Sequence, residues 1–303
     1  MSAPQHICVC ICTHKRPALL SRLLTRLGDQ QTEGLFDYSA VIVDNDKSES
    51  ARPVAESIGR TSKFRIGYHV EPEQNIARAR NRAVENAQGD LIAFIDDDEF
   101  PMNDWLLSLF KARERFGADG ILGPVRPHFE DDCPAWIPQS RLCERPSHET
   151  GTVMPASETR TGNLLLKKEI FDDPDNRFDP QFGRTGGEDV WFFMKISAKG
   201  RVFVWCEEAA VYETVPPDRW KESFYFKRAV RIGGLSGDEV RTKGLPGPGL
   251  ARVIAGSCFY SISLPFALCC GKPVFMRYLV KGAYNVSFLL GYFGHVSIRF
   301  RDD

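Results

Sequence analysis

Three apolar runs near the start of the chain each stop abruptly at a polar cluster. Ile7-Cys8-Val9-Cys10-Ile11-Cys12 ends at Thr13-His14-Lys15-Arg16, Ala40-Val41-Ile42-Val43 ends at Asp44-Asn45-Asp46, and Leu91-Ile92-Ala93-Phe94-Ile95 ends at Asp96-Asp97-Asp98-Glu99. Each run has the length and character of a strand. Helical patterns lie between them. Leu19, Leu20, Leu23, Leu24 and Leu27 follow Pro17, which suits a first helical turn; residues 75–88 read as a helix closed by Gly89, and residues 103–116 as another. Residues 64–70 and 121–125 add strands, and 163–166 and 201–205 are further candidates. Strands alternating with helices predict an open, mostly parallel α/β sheet. In such sheets ligands bind beyond the carboxyl ends of the strands, which is where the three polar clusters fall. Residues 126–158, rich in Pro and without periodicity, read as a long surface excursion, a lid or acceptor-side loop.

The acidic clusters carry the chemistry. If strand geometry persists past Ile95, Asp96 and Asp98 point one way and Asp97 the other. Two carboxylates on one side are an incomplete site for Mg²⁺ or Mn²⁺, whose remaining ligands are typically water and phosphate oxygens. The bland alternative is an acidic turn capping the next helix. Glu188 and Asp189 precede the apolar residues Val190, Trp191, Phe193, Met194 and Ile196. Asp at a helix start is often only a cap, but Gly186-Gly187 let the backbone approach a ligand and aim the carboxylate into a cleft, where it acts as a general base. Arg78 and Arg80, two apart on a helix, diverge, so that one faces phosphate or base and the other solvent.

Composition narrows the classes. The 303 residues carry 39 Lys and Arg against 40 Asp and Glu, a net charge of −1, which disfavours a globally basic nucleic-acid binder. The charge is uneven. Eight basic residues and no acid occupy residues 240–301, so the remainder stands at −9. An acidic body with a cationic, apolar tail points to a membrane or polyanion partner. The nine cysteines form no CxxC pair, which makes a zinc site improbable. The N-terminus lacks a basic region followed by a long apolar core, so no secretory signal is expected and the cysteines read as reduced thiols.

The ordered segments CVCICTHKRP, VIVDND, QNIARARN, LIAFIDDDEF, TGNLLL, GGEDVWFF and VYETVPPDRW resemble the GT-A-fold family 2 glycosyltransferases, and among them bacterial exopolysaccharide enzymes of the succinoglycan-glucosyltransferase type. The resemblance covers about residues 7–234. It implies a Rossmann-like catalytic domain over residues 1–235, with a C-terminal helical, membrane-associating segment over 236–303. It further implies a UDP-sugar donor, a Mg²⁺ or Mn²⁺ cofactor, inversion at the anomeric carbon, a lipid-diphosphate-linked glycan acceptor and a place on the cytoplasmic face of the bacterial inner membrane.

Site roles follow by position from the same resemblance. Thr13 and Arg16 match the first-strand segment at the nucleotide, and Asp44, with Asn45 beside it, the carboxylate that bonds uracil or ribose. Arg78 or Arg80 lies near base and diphosphate. Asp96 and Asp98 match the DxD motif, with Asp97 between them and Asp98 the direct metal ligand. Asp189 matches the catalytic base, Glu188 beside it falls on the acceptor and sugar side, and Trp191 matches the acceptor-side aromatic. Thr161, Gly162 and Asn163 match a strand lining the sugar cleft. Two departures stand out. Glu213 occupies a position where many relatives carry His, so a third metal ligand there would be a carboxylate. No Gln stands three residues before Arg219-Trp220, which argues against a processive synthase and for single-sugar addition.

The tail has its own pattern. Residues 253–270 form an uncharged stretch of 18, on the threshold of a spanning helix, with Pro265 inside it. A second apolar run, 282–298, follows Lys272, Arg277 and Lys281, with aromatics interleaved. Basic, aromatic and apolar residues without acids suit an anionic leaflet surface, as in-plane or shallow re-entrant helices. A buried helical pair and a true span are the alternatives. Lys221, Lys227, Arg228 and Arg231 extend the basic face and would suit the pyrophosphate of a lipid-linked acceptor. Two other functions compete. A nucleotidyltransferase on a similar sheet would need a Gly-rich, Lys-containing phosphate loop after the first strand, which is absent; a non-catalytic carbohydrate- or membrane-binding module would leave both acidic clusters without a purpose.

Overall fold

The computed structural model describes residues 4–183, 186–243 and 248–295. The chain forms two compact units. One comprises residues 1–126 and 145–213, the other 127–144 and 214–303. In the first unit the elements run β1 (Gln5–Thr13), α1 (Pro17–Leu27), β2 (Phe36–Asp44), α2 (Arg52–Gly59), β3 (Arg65–Val70), α3 (Ile76–Asn86), β4 (Leu91–Ile95), β5 (Glu99–Pro101), α4 (Trp105–Phe116) and β6 (Gly120–Leu122). The excursion expected as irregular holds β7 (Val125–His128) and α5 (Trp136–Ser140) and is shared between the units. Then come β8 (Asn163–Lys167), α6 (Glu188–Ala198), β9 (Phe203–Trp205) and β10 (Val211–Thr214). The second unit ends in α7 (Glu222–Lys243), α8 (Leu250–Cys269) and α9 (Lys272–Tyr292). The expected boundary at 235/236 falls inside α7.

The main sheet has seven strands in the order β3-β2-β1-β4-β8-β6-β9. β1 pairs in parallel with β2 and β4, β2 with β3, and β6 with β9, whereas β8 runs antiparallel to both β4 and β6. This is the mostly parallel α/β, GT-A-like sheet. A small second sheet has the order β5-β10-β7.

Alternation along the strands sends side chains into two cores. Ile7, Val9 and Ile11 meet Leu20, Leu23, Leu24 and Leu27 of α1 and Trp105 of α4 on one face. Cys8 and Cys10 meet Ala77, Ala79, Ala83 and Val84 of α3 and a Phe171, Phe178, Phe192 and Phe193 group on the other. Four of the five α1 leucines, all but Leu19, are 0–1% exposed, and each contributes about 2 kcal/mol of burial. The alanines on α3 have a different effect: small side chains let that helix lie close to the sheet and bring Arg80 with it.

The second unit is built otherwise. α7 and α9 touch backbone to backbone. A Cβ on Gly233 would stand 2.3 Å from the Tyr284 carbonyl, and one on Gly237 would stand 2.0 Å from that of Phe288. Ser287 Oγ donates to the Val230 carbonyl at 2.5 Å across the same seam. Trp136, Ile137, Tyr225 and Met276 form the unit's small core. α8 runs unbroken past Pro265 and is long and apolar enough to cross a membrane, with 17% of its most apolar 18-residue stretch buried. Lys272, Arg277 and Lys281, expected ahead of the second apolar run, are part of α9 itself. Residues 296–298 of that run, with Arg299 and Arg301, lie outside the described residues.

Candidate active site

The chain leaves β1 for β2 and β3 on one side, then returns to β4 on the other, so β1 and β4 flank the point where strand order reverses. A crevice opens there beyond the carboxyl ends. Thr13 closes β1 and Asp96 follows β4 directly, and the two ends are tied together. Thr13 Oγ1 donates to Asp97 Oδ2 at 2.8 Å, and Arg16 donates to Asp97 Oδ1 at 3.1 Å and Asp98 Oδ2 at 3.0 Å. The expected alternation of Asp96 and Asp98 against Asp97 therefore does not hold. The strand stops at Ile95, and residues 96–99 turn, with the Glu99 N–H donating to the Asp96 carbonyl at 3.1 Å. Once the backbone turns, period-two reasoning no longer applies, and Asp97 and Asp98 share one guanidinium.

Asp96 goes to a different arginine. Arg80, 9% exposed in the first turns of α3, lies 3.8 Å from Asp96 and forms a close ion pair with Glu188, itself 7% exposed. One buried cation thus joins the acid run after β4 to the Glu188-Asp189 pair at the start of α6. Burial works against the guanidinium's charge, and Asp96 and Glu188 more than offset it, so Arg80 stays cationic. Arg78 turns outward and pairs with Glu73 at 3.2 Å, so the two arginines diverge, with Arg80 on the inside. Gly186 and Gly187 hold φ of +85° and +94° before α6, a conformation that any side chain would strain. Asp189 sits in the first turn of α6, where the helix dipole favours a carboxylate, and its Oδ1 accepts the Val190 N–H at 2.8 Å. Trp191 is 45% exposed, its ring 5.7 Å from that of Phe182, an aromatic face open to a ligand.

The crevice is overstocked with carboxylates. Burial pushes the Asp96 carboxyl above its usual range, Arg80 pulls it back and Asp97 pushes again. Asp97 is raised by burial against the pull of Thr13 and Arg16. Glu99 is raised far more, by burial and then by Asp96. Its Oε1 is buried with no hydrogen-bond partner, as is Glu188 Oε2. Gly162 leaves the space these groups need: a Cβ there would lie 2.9 Å from Glu99 Oε1 and 3.2 Å from Asp96 Oδ2. Glu213 on β10 stands in register with Glu99 on β5, pairs with Arg145, and adds to the charge Asp96 feels.

This donor set fits a hard divalent cation. Oxygen ligands predominate, their charge exceeds what Arg16, Arg80 and Arg145 supply, and Asp96 keeps 45% of its side chain open. Among the described residues no three His, Cys, Asp or Glu side chains converge on one metal position by themselves. Phosphate and water oxygens would therefore complete the coordination.

Three residues expected at the ligand face inward instead. Asp44 is fully buried and accepts from the Asp46 N–H at 3.1 Å, the Ala51 N–H at 2.8 Å and the Tyr68 hydroxyl at 2.8 Å, which shapes the loop after β2. Asn45 donates to the Glu71 and Glu73 carbonyls and accepts the Asn75 N–H at 2.9 Å, fixing the entry to α3. Asn163 accepts from Trp105 Nε1 at 2.8 Å and donates to the Pro124 and Ala209 carbonyls, locking β8 in the sheet. All three hold the crevice in shape. Glu99 and Arg145 belong to the cluster too, although no motif in the sequence gives either a role. Glu99 was visible at the end of the acid run; Arg145, in an aperiodic stretch, gave no signal.

Comparison with known proteins agrees with this geometry. Residues 8–177 match the family model described as glycosyl transferase family 2. The chain is 33% identical over 294 residues to the succinoglycan biosynthesis protein ExoM of Rhizobium meliloti (strain 1021), covering 94% of this chain and 93% of that protein. It is 31% identical over 219 residues to validoxylamine A glucosyltransferase of Streptomyces hygroscopicus subsp. jinggangensis (strain 5008), covering 63% of this chain and 51% of the other. Two solved structures share the fold. S. aureus TarS 1-349 in complex with UDP matches with a TM-score of 0.56 at 17% identity, over 98% of this chain and 94% of that one. The mannosyltransferase PcManGT from Pyrobaculum calidifontis, in complex with GDP-Man and Mn²⁺, matches with a TM-score of 0.64 at 15% identity, over 96% and 88%. A strand-reversal crevice lined by acids, in a chain matched this far along its length, has one family reading: the protein is a glycosyltransferase and belongs to glycosyl transferase family 2.

Proposed function

We propose that the enzyme is an inverting, divalent-metal-dependent glycosyltransferase that moves one sugar from a UDP-sugar to a lipid-diphosphate-linked glycan at the cytoplasmic face of the bacterial inner membrane, in exopolysaccharide or cell-surface glycan synthesis. The observation that carries this reading is Arg80, which joins Asp96 and Glu188 and so brings the two acid runs to one crevice. Thr13 and Arg16 fix the Asp97-Asp98 turn beside the donor diphosphate. Asp96 and Asp98, with Glu213 nearby, would hold Mg²⁺ or Mn²⁺, which when bound supplies positive charge to the departing diphosphate.

In the transfer step the acceptor oxygen bonds to the anomeric carbon from the face opposite the nucleotide. The bond from that carbon to the diphosphate oxygen breaks, and its electron pair leaves on UDP. The hydroxyl proton passes to Asp189. Trp191 offers an aromatic face for a sugar ring. Similarity to ExoM supports an exopolysaccharide setting, and the UDP complex of TarS, a protein of the same fold, supports the donor. The exposed apolar helix α8 supports membrane association.

The test is a screen of UDP- and GDP-sugars with the purified full chain, Mg²⁺ or Mn²⁺, and a lipid-diphosphate glycan, read as nucleoside diphosphate release and as the anomeric configuration of the product. The reading expects UDP release and an inverted product. Retention of configuration, or pyrophosphate release in place of UDP, would overturn it.

A further inference from the structure

Asn75 and Asn81, from the segment QNIARARN, have no part in the transfer step. Asn75 caps α3, its Oδ1 accepting the Arg78 N–H at 3.2 Å, and Asn81 lies further along the same helix. Both reach across to residues 178–183, the strap that leads to Gly186, Gly187 and α6. Asn81 meets Phe178 as a neighbouring strand would. Its Nδ2 donates to the Phe178 carbonyl at 2.8 Å, and its Oδ1 accepts the Phe178 N–H at 2.9 Å. A primary amide offers the donor and the acceptor side by side that such a pair requires. Asn75 Nδ2 donates to the Pro180 carbonyl at 2.9 Å, and the Ile76 N–H donates to the Gly183 carbonyl at 3.2 Å. A Cβ on Gly183 would overlap the Asn75 amide, so the strap lies this close only because that residue is glycine.

The strap passes its position on to α6. The buried Phe178 ring stacks on Phe192 with centroids 4.4 Å apart, and Phe192 lies one turn along α6 from Glu188. At the other end the Phe182 carbonyl accepts the Gly186 N–H at 2.9 Å, and the Phe182 ring touches that of Trp191. Glu188 and Asp189 therefore lie between two contacts with the strap, and the buried Arg80–Glu188 pair adds a third tie from α3. Gly186 and Gly187 have no side chains to fix the entry to α6, so these ties set its direction. Transfer tolerates little error there: a displacement of about 1 Å can cost about a hundredfold in rate.

We propose that Asn75 and Asn81 are positioning residues, which hold the strap on α3 and through it set Asp189 and Trp191 where transfer needs them. The assignment rests on the reading of Asp189 as the base. Both amides are engaged by the strap, so their loss should slow transfer and leave donor binding alone.

Hydrogen exchange and kinetics on the full chain test it together. In the wild-type chain the Phe178 and Gly186 amides should exchange slowly, as those of α3 do. Exchange as free as in an unstructured peptide overturns the proposal by itself, whether or not any variant folds. N81L removes both bonds to Phe178, and N75S keeps a cap on α3 but is too short to reach the Pro180 carbonyl. In each variant exchange over residues 178–193 should rise about tenfold or more, with β1 and β4 unchanged. Turnover with metal, UDP-sugar and a lipid-diphosphate glycan should fall about tenfold to a hundredfold, while UDP-sugar affinity, read by calorimetry, stays within about twofold. Unchanged exchange in both variants overturns the proposal. So does wild-type turnover despite faster exchange, or a loss of donor affinity in step with turnover, which would mean general damage to the sheet. Exchange is read without turnover. If Asp189→Asn turns over at the wild-type rate while N75S and N81L slow transfer, the base assignment fails and the positioning role stands.

Discussion

The two units of this protein solve opposite problems with opposite distributions of charge. In the first, apolar side chains fill both faces of a sheet, and acids gather at one crevice where buried Arg80 and the half-exposed Arg16 and Arg145 hold them. In the second, the helices meet through glycines and the apolar side chains of α8 face outward. An acidic crevice attracts metal and repels bare phosphate, whereas an exposed apolar helix with basic neighbours suits an anionic surface.

That contrast can be broken most sharply at the acid cluster. Asp98→Asn removes a proposed metal ligand and should lower UDP release about a hundredfold or more while weakening UDP-sugar affinity, read by steady-state kinetics and calorimetry. Arg80→Met leaves Glu188 buried and uncompensated. It should cost about 3–5 kcal/mol of stability, measured by denaturant unfolding, and a loss below about 1 kcal/mol would mean the arginine does not tie the acids together. In the second unit, Gly237→Ala puts a methyl group into the Phe288 carbonyl and should cost about 1–3 kcal/mol.

Titration probes the acid cluster further. Asp96, Asp97 and Glu99 have carboxyl pKa values raised by burial, so the folded state holds protons that the unfolded chain gives up at about pH 4. The cluster's contribution to stability therefore falls as pH rises from there through the raised folded values. Added Mn²⁺ competes with those protons. It should raise the melting temperature more at pH 7 than at pH 5, and an equal rise at both would contradict the cluster as its binding site. The smallest expected effect is that of Phe266→Ser on α8. Exposed side chains hold little folding energy, so stability should change by about 0.5 kcal/mol or less while vesicle association weakens.

The sequence reveals strands through short apolar runs and the crevice through the acids that end them, because both signals are local. β8 enters the sheet antiparallel between β4 and β6, and nothing local predicts that: pairing direction depends on where the chain returns from. Polar residues at strand ends proved ambiguous for a related reason. Asp44, Asn45 and Asn163 have the types a ligand site needs, yet backbone donors and acceptors of neighbouring loops claim them, and only the tertiary arrangement shows this. Arg80 shows the converse. Spacing indicated that it and Arg78 diverge; the alanines on α3 that draw it inward were visible, but the partners waiting there were not. In the second unit the basic and apolar character was legible, while the packing depends on glycines that let the helices approach.

The proposed transfer depends most directly on Asp189 as the group that receives the acceptor's proton. Turnover and UDP-sugar binding of Asp189→Asn, measured side by side on the full chain with metal and a lipid-diphosphate glycan, test this. Loss of a general base predicts a fall in turnover of about 10²–10⁴-fold with donor affinity unchanged. Turnover at the wild-type rate, or a parallel loss of donor binding, would contradict it.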